Sequence, residues 1–582
     1  MDQANHSNIA FQRCSIQNSN MADIKSNKKS FMNTRNYFRE YCDYTGIHGL
    51  KFIGERRSLC EKVSWIIVFC LSLTTCIAVV YEVFKKWQKS PIIVNFASEQ
   101  VNIFDITFPA VTICPETKVY SDYFNYSFSL RRSMQDKLTI PDDRLKKLQY
   151  MSILCNVNEY YHNIPKIDTI DEGFFAFLRE GAPTFFKRCS WMRQDYPCEK
   201  IFQPLYTDEG LCFTFNMLSK GQMFTSHTEN IDRPPDTYND QMSINWSADF
   251  GYTEDAEIET YPRRALLSGS TNSLEVTLSV NNTDLDYGCT HFQGYKVVLH
   301  SPHRFPTVSN HYFRIPLKKS VSAAITPAIL RTSDDVADYS SRKRRCFFQT
   351  DMKLKYFSKY SQMNCRLECF LNLTLDMCGC VEYFMPRSKN MPICGTGKYE
   401  CIKNASLQQT FLFLKGHLSD HLKAKEREKI HKHLSKNHNN ISRTHFCYCP
   451  DMCNTIDYNV EITESDYDWP RKMATLGIEV PVDEEGLSSS QLLLYFKGNT
   501  FIPQERHELF GTFDFLANVG GLLGLFIGFS LLSMVELFYF LSLRIICNVK
   551  LYQNWHGRQE LMTNNPSGSI RLNKSTNIST VS

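Results

Sequence analysis

The sequence carries little net charge: 65 basic against 61 acidic side chains leave +4 over 582 residues, which gives no electrostatic footprint for nucleic acid. The segment before the first apolar run is not expected to be a cleavable leader. It is polar, keeps Lys51, Arg56, Arg57 and Lys62 close to that run, and holds no Ala-x-Ala site. Internal repeats are absent, and low complexity is confined to the polar tails. No nucleophile, base and orienting acid stand in a recognisable motif and no phosphate-binding glycine loop occurs, so an enzyme is the least supported class and no cofactor or metal site is expected. Long apolar runs number two, and neither has the spaced arginines of a voltage sensor.

Those two runs set the topology. Val63 to Tyr81 is uncharged for nineteen residues, flanked by Lys62 on one side and by Glu82, Lys85 and Lys86 on the other, with Trp65 and Trp87 near the ends. Phe515 to Val535 gives twenty-one more, continuing past Glu536 to Leu543 before Arg544. Each is long enough to span a bilayer. The expected division is a cytosolic segment 1–62, a first membrane helix 63–84, an extracellular region 85–509, a second membrane helix 510–543 and a cytosolic tail 544–582. Basic flanks, with Arg544 and Lys550 after the second run, put both termini in the cytosol of a plasma-membrane protein, although Lys85 and Lys86 run against the rule. Cysteines and sequons agree with that orientation. Of 22 cysteines, 16 lie between Cys114 and Cys453, an even number suited to disulfides in an oxidising compartment. Six glycosylation sequons fall in the same region, at Asn125, Asn245, Asn281, Asn372, Asn404 and Asn440, while the tails hold others at Asn5, Asn573 and Asn577.

The stretch 346–453 holds ten cysteines. Cys365 and Cys369 are four apart, so on a helix their sulfurs share a face, about 6 Å apart along the axis. Cys447 and Cys449 on an extended strand would point one way at roughly 6.6 Å. The matched pitch suggests a ladder joining Cys365 to Cys449 and Cys369 to Cys447, with Cys346 to Cys453 closing the base and Cys378, Cys380, Cys394 and Cys401 filling the far end. A zinc site is the alternative, which an oxidising compartment disfavours. The insertion between Cys401 and Cys447 reads helical, with Phe411, Leu414, Leu418 and Leu422 on one stripe, then a charge run from Lys423 to Lys432. Its histidines, His417, His421, His431, His433, His438 and His445, are either solvated surface or sensors of pH or metal. Arg342 to Arg345 has the form of a proprotein-convertase site, against the simpler reading of a solvated basic patch. Elsewhere short alternating stretches such as Tyr295 to Leu299 and Asn310 to Ile315, between Pro, Asn and Gly turns, predict a β core with a helical, disulfide-rich appendage: an α+β ectodomain.

The second apolar run differs from a plain anchor. Gly520, Gly524 and Gly528 recur every four residues beside Gly521, giving a flat stripe where helices approach closely, and Ser530 and Ser533 follow. At Gly528-Phe529-Ser530 glycine tolerates unwinding, and a broken turn there would present carbonyls and a hydroxyl to a water-filled axis, ligands suited to a small monovalent cation. Asp514 and Glu536 are the acids of this span; repeated by symmetry, each becomes a ring that attracts cations. The simpler reading is a glycine-rich dimerisation face with a helix-end acid.

Five ordered motifs carry a resemblance: Ile47-His48-Gly49; Phe108-Pro-Ala-Val-Thr-Ile-Cys-Pro115; Cys212-Phe-Thr-Phe-Asn216; the cysteine ladder; and Leu516-Ala-Asn-Val-Gly-Gly521 leading to Gly528-Phe529-Ser530. On these the chain, from about residue 37 to 544, resembles the degenerin/epithelial sodium channel family and looks most like its insect pickpocket branch. The resemblance implies a homo- or heterotrimer of related subunits in the bilayer, with a palm, finger, thumb, knuckle and ball ectodomain and a sodium-selective, often amiloride-blocked pore. Mechanical, osmotic or chemical stimuli, an extracellular ligand among them, would open it. Sodium would be permeant, not a bound cofactor. His48 and Gly49 would be a cytosolic gating pair, Ala517 the position where bulky replacements hold the pore open, and Gly528, Phe529 and Ser530 the selectivity filter, with Asp514, Asn518, Gly520, Gly521, Gly524 and Glu536 along the pore. The family's pairing further implies Cys114–Cys212, Cys189–Cys198, Cys378–Cys401 and Cys380–Cys394; Cys155 and Cys289 are left over and are expected to pair.

Tyr539 and Lys343 depart from the acid-sensing branch, which has a pore acid and a tryptophan at those positions, so the resemblance does not by itself imply proton gating or a calcium site at the pore, and the wrist contact is expected to be built differently. An ATP-gated receptor would need clustered lysines and another cysteine plan. A two-pass receptor or regulatory subunit without conduction would need only featureless anchors.

Overall fold

The computed structural model describes residues 34–89, 92–135, 141–155, 164–228, 245–421, 448–477 and 486–553. They form two units, one of residues 92–508 and one that joins the two ends of the chain.

Besides short two-residue strands, the strands of the larger unit are β1 (Ile92–Phe96), β2 (Ala110–Pro115), β3 (Phe186–Trp191), β4 (Gln194–Tyr196), β5 (Phe202–Thr207), β6 (Gly210–Phe215), β7 (Leu274–Asn281), β8 (Tyr295–His300), β9 (Phe313–Ile315), β10 (Lys319–Thr332), β11 (Thr455–Asp466), β12 (Leu487–Phe496) and β13 (Gln504–Glu508). One sheet runs β1-β13-β10-β12-β7-β3-β4, with β11 also paired to β10; a second runs β9-β8-β2-β6-β5. Pairing is antiparallel except that β10 runs parallel to β12 and β13. Along β12 partly and fully buried residues alternate over the whole strand, the period of a sheet with one face on a core. β2, Ala-Val-Thr-Ile-Cys-Pro, is buried throughout, so its continuous run of small and apolar residues suits a central strand. Between the sheets Phe108 meets Trp191 edge-on with ring centroids 4.7 Å apart, and Phe496 at 5.4 Å. β9 begins at Phe313, later than the alternation from Asn310 suggested, because Asn310 and His311 belong to a turn and bend.

Among the helices are, in chain order, α1 (Thr34–Tyr44), α2 (Leu50–Gly54), α3 (Leu59–Lys89), α4 (Gln362–Cys378), α5 (Tyr399–His421), α6 (Thr512–Ile527), α7 (Leu531–Phe538) and α8 (Arg544–Tyr552). α4 starts where the Ser361 hydroxyl accepts from the Asn364 amide and stops at Gly379, whose φ of +73° only glycine adopts freely. Disulfides join Cys114–Cys212, Cys155–Cys289, Cys189–Cys198, Cys346–Cys453, Cys365–Cys449, Cys378–Cys401 and Cys380–Cys394. Cys369 is disulfide-bonded as well; its expected partner Cys447 lies outside the described residues. Closing loops of about a hundred residues, as Cys114–Cys212 and Cys346–Cys453 do, is worth on the order of 4–5 kcal/mol each by chain entropy. Cys449 sits in irregular backbone before Pro450, not on a strand, so the ladder needs only the helical side to be regular. α5 carries the start of the insertion as far as His421; Leu422 to Cys447, with His431, His433, His438, His445 and Asn440, lie outside the described residues. Asn125, Asn281 and Asn404 are exposed and Asn245 and Asn372 partly buried.

Within Arg342 to Arg345 three side chains are exposed, as a solvated patch would have them, but Arg344 is not. Arg344 is 5% exposed, donates to the carbonyls of Ala337, Tyr339 and Cys346 at 3.2, 2.7 and 3.0 Å, and pairs with Asp351. A guanidinium with several donors is tolerable inside only when they are used, and here one arginine draws three carbonyls and an acid together beside the Cys346 disulfide. A convertase-type protease therefore leaves the folded protein uncut after Arg345 and cuts it once Arg344→Ala opens the site, as fragment sizes on a reducing gel will show.

His300 and His303 are both buried, and among the described residues neither ring nitrogen of His303 finds a hydrogen-bond partner. Burial, with the nearby Arg304 charge, holds His300 down at about 4 and His303 at about 3. An unfolded histidine titrates near 6.5, so the unfolded chain takes up protons first as pH falls. Stability is full above about pH 6.5 and drops below it by roughly 1.4 kcal/mol per pH unit per histidine until the folded values are reached. Melting of the purified protein between pH 7 and 4.5 should show this slope, and His303→Phe should make it shallower.

Candidate functional site

In the unit formed by the chain ends, α3 and the continuous helical stretch Leu531–Tyr552 are long and apolar enough to cross a membrane, and α6 is a shorter apolar helix. α3 outruns the expected 63–84 at both ends because a helix does not stop where apolarity does. The second run is not one helix from 510 to 543. It breaks after Ile527, and Gly528, Phe529 and Ser530 link α6 to α7.

Each part of the break is held from within the chain. Gly528 has φ +67°, and a Cβ there would lie 2.7 Å from His48 Nδ1. The freed carbonyl of Ile527 accepts from the His48 amide at 2.9 Å, and that of Phe526 from the Ser72 hydroxyl of α3 at 2.6 Å. The Ser530 hydroxyl caps α7 by accepting from the Ser533 amide at 3.2 Å, while Ser533 Oγ accepts from the Ser530 amide at 3.3 Å. Thus the broken turn does not leave all its oxygens bare, as the sequence suggested. At membrane depth backbone and hydroxyl groups need partners, and the segment holding His48 and Gly49 supplies one. Gly49, with φ +88°, then turns that segment into α2, whose Phe52 stacks on Trp65 at 4.4 Å. The Gly46 amide approaches the Glu536 carboxylate at 3.4 Å, which brings this acid to the same segment.

Asp514 lies in the first turn of α6, where its carboxylate accepts from the Gly511 amide at 3.2 Å, an acid matched to the helix N-terminus. Ala517, Asn518, Gly520 and Gly521 are exposed in the single chain. A Cβ at Gly520, Gly521 or Gly524 would meet nothing within 4 Å among the described residues, so packing against them does not require these glycines. Trp87 stacks on Phe515 at 5.0 Å and donates to the Phe510 carbonyl at 3.1 Å, fastening the end of α3 to the start of α6.

A π-helix at Tyr539–Leu543 joins α7 to α8. Such a turn disturbs the helical hydrogen-bond ladder, and the Tyr37 hydroxyl of α1 donates to the Phe540 carbonyl there. The rings of Tyr37, Tyr41 and Tyr44 lie 6.1, 5.3 and 6.4 Å from that of Phe540, and Arg544 stacks over it at 5.0 Å while pairing with Glu40. Sequence reasoning missed Tyr37, Glu40, Ser72 and Phe540. A hydroxyl inside the first apolar run was the one signal, for Ser72.

The family model for amiloride-sensitive sodium channels matches residues 41–540. Pickpocket protein 28 of Drosophila melanogaster is 25% identical over 532 residues, covering 89% of this chain and 80% of that protein. The sodium channel protein Nach of the same species is 24% identical over 542 residues, 89% of each. Acid-sensing ion channel 1 of Gallus gallus is 21% identical over 509 residues, 84% of this chain and 81% of that one.

Replacing Gly528 by alanine forces a side chain into left-handed backbone, a cost of about 1–2 kcal/mol before any collision, and drives it into His48. The 46–49 segment should loosen. A cysteine at Ile47→Cys in the purified protein should then react with a maleimide several-fold faster, and adding His48→Ala should restore only part of the protection.

Proposed function

The chain belongs to the amiloride-sensitive sodium channel family, and from that premise we propose that it is a subunit of a non-voltage-gated, sodium-permeable channel, with both termini in the cytosol and residues 92–508 outside. The family is one of channels, not enzymes, and the two apolar helices fit a two-span plasma-membrane protein. The broken second span carries the reading: a lipid anchor gains nothing from giving up helical hydrogen bonds at Gly528 and rebuilding them with Ser72 and His48. The unfilled face of Gly520, Gly521 and Gly524 is where related subunits would approach, three around one axis. Gly528, Phe529 and Ser530 would then form the narrow, oxygen-rich stretch that selects sodium, with Ala517 and Asn518 above it and Glu536 below, and amiloride as a blocker. Force, osmotic change or a chemical cue acting on the disulfide-bonded ectodomain would open it.

The test is current from cells expressing the chain alone and with related subunits. Ala517→Val should raise a standing sodium current at least several-fold. Amiloride should block that current, and replacing sodium by N-methyl-D-glucamine should abolish it. Surface-expressed protein with no sodium current under any of these conditions would mean a receptor or regulatory subunit instead.

A further inference from the structure

α3 carries four serine or threonine hydroxyls, Ser64, Ser72, Thr74 and Thr75, and they are not used alike. Ser64 donates to the Glu61 carbonyl at 2.8 Å, Thr74 to that of Cys70 at 2.9 Å and Thr75 to that of Leu71 at 2.8 Å. Each stays within its own helix, the ordinary way to satisfy a hydroxyl on an apolar span. Ser72 instead leaves its helix and donates to the Phe526 carbonyl of α6 at 2.6 Å. Thr74 and Thr75 are exposed, whereas Ser72 is partly buried on the face that also carries Trp65, Phe69 and Cys76. The donor was placed on the packed side of the helix, where its partner is another element.

The partner is at the break in the second span. In an unbroken helix the Phe526 carbonyl would accept from the amide of residue 530. The Ser530 amide turns to Ser533 Oγ instead, so Phe526 loses its helical donor and Ser72 replaces it. Ile527 is closed by the His48 amide. Among the described residues no donor reaches the carbonyls of Gly528 or Phe529, which come next. Two neighbouring carbonyls at the break are thus closed from outside α6, and the following two stand free.

We propose that Ser72 is a positioning residue for ion selection: by holding the Phe526 carbonyl against the first span, it leaves the Gly528 and Phe529 carbonyls, and not that of Phe526, to replace the water of a small cation. This rests on the channel reading given above. Discrimination between cations of equal charge follows from the spacing of the oxygen ligands or from their number and field strength. On either account it changes when one more carbonyl is set loose. A third, mobile oxygen favours the larger ion, so the preference for sodium over potassium falls. The simpler role, a small residue where two helices approach closely, makes alanine as good as serine at position 72.

The experiment is the permeability ratio of sodium to potassium, from reversal potentials of cells expressing the Ala517→Val chain with related subunits. That ratio does not depend on how many channels reach the surface. Ser72→Ala should lower it several-fold, and Ser72→Thr, which keeps the hydroxyl, should restore most of it. Thr74→Ala and Thr75→Ala, which remove hydroxyls bonded within α3, should leave it unchanged. Should Ser72→Ala not reach the surface, Ser72→Cys, of similar size and a weaker donor, should lower the ratio in the same direction. A sodium current whose ratio is the same with serine, alanine and cysteine at position 72, or a fall that threonine does not reverse, would overturn this proposal and leave the channel reading standing. No current from the Ala517→Val chain in any combination would overturn the channel reading, and the role of Ser72 in selection with it.

Discussion

In hydrocarbon a backbone carbonyl without a donor costs several kcal/mol, and the second apolar run forfeits its helical ladder at Gly528. Much of the arrangement of the helical unit answers that one deficit. Ser72 reaches across from α3 to the Phe526 carbonyl, and the His48 amide reaches the Ile527 carbonyl. That second bond is possible only because residue 528 has no side chain to occupy the space of the imidazole. The segment before the first span is thereby tied to the middle of the second, and Gly49, Phe52 and Trp65 follow from that tie.

The same logic recurs at the π-helix, where Tyr37 satisfies the Phe540 carbonyl and Arg544 with Glu40 holds α1 in place. Two irregular turns in one span are each completed by a group from the other end of the chain. In the larger unit disulfides take the role that hydrogen bonds take here. The Cys378–Cys401 cystine joins the end of α4 to the first turn of α5, and Cys365–Cys449 ties the start of α4 to the chain before β11.

Much was legible in the residues. Apolar length marked the spans, and the four-residue spacing of Cys365 and Cys369 placed them on a helix that the structure gives as α4. The break was readable at Gly528-Phe529-Ser530 because glycine beside serine inside an apolar run has few other uses. What escaped was partnership at long range. Ser530 read as an open ligand although it caps α7, Asp514 read as a mouth acid although it also completes the first turn of α6, and Arg344 read as solvated although it is buried. Each of these polar groups is locally indistinguishable from its exposed counterpart, since its partner is set by how the chain folds back.

The sequence by itself determined the class of molecule: two spans, a disulfide-bonded α+β region between them, and a second span made to break. Periodicity, apolar length and cysteine count are local quantities, and the hydrophobic effect and the redox compartment act on them directly. Tertiary structure alone decided which groups close the break and which arginine becomes a clamp. Those outcomes depend on distances between residues hundreds of positions apart, which only the packed chain defines.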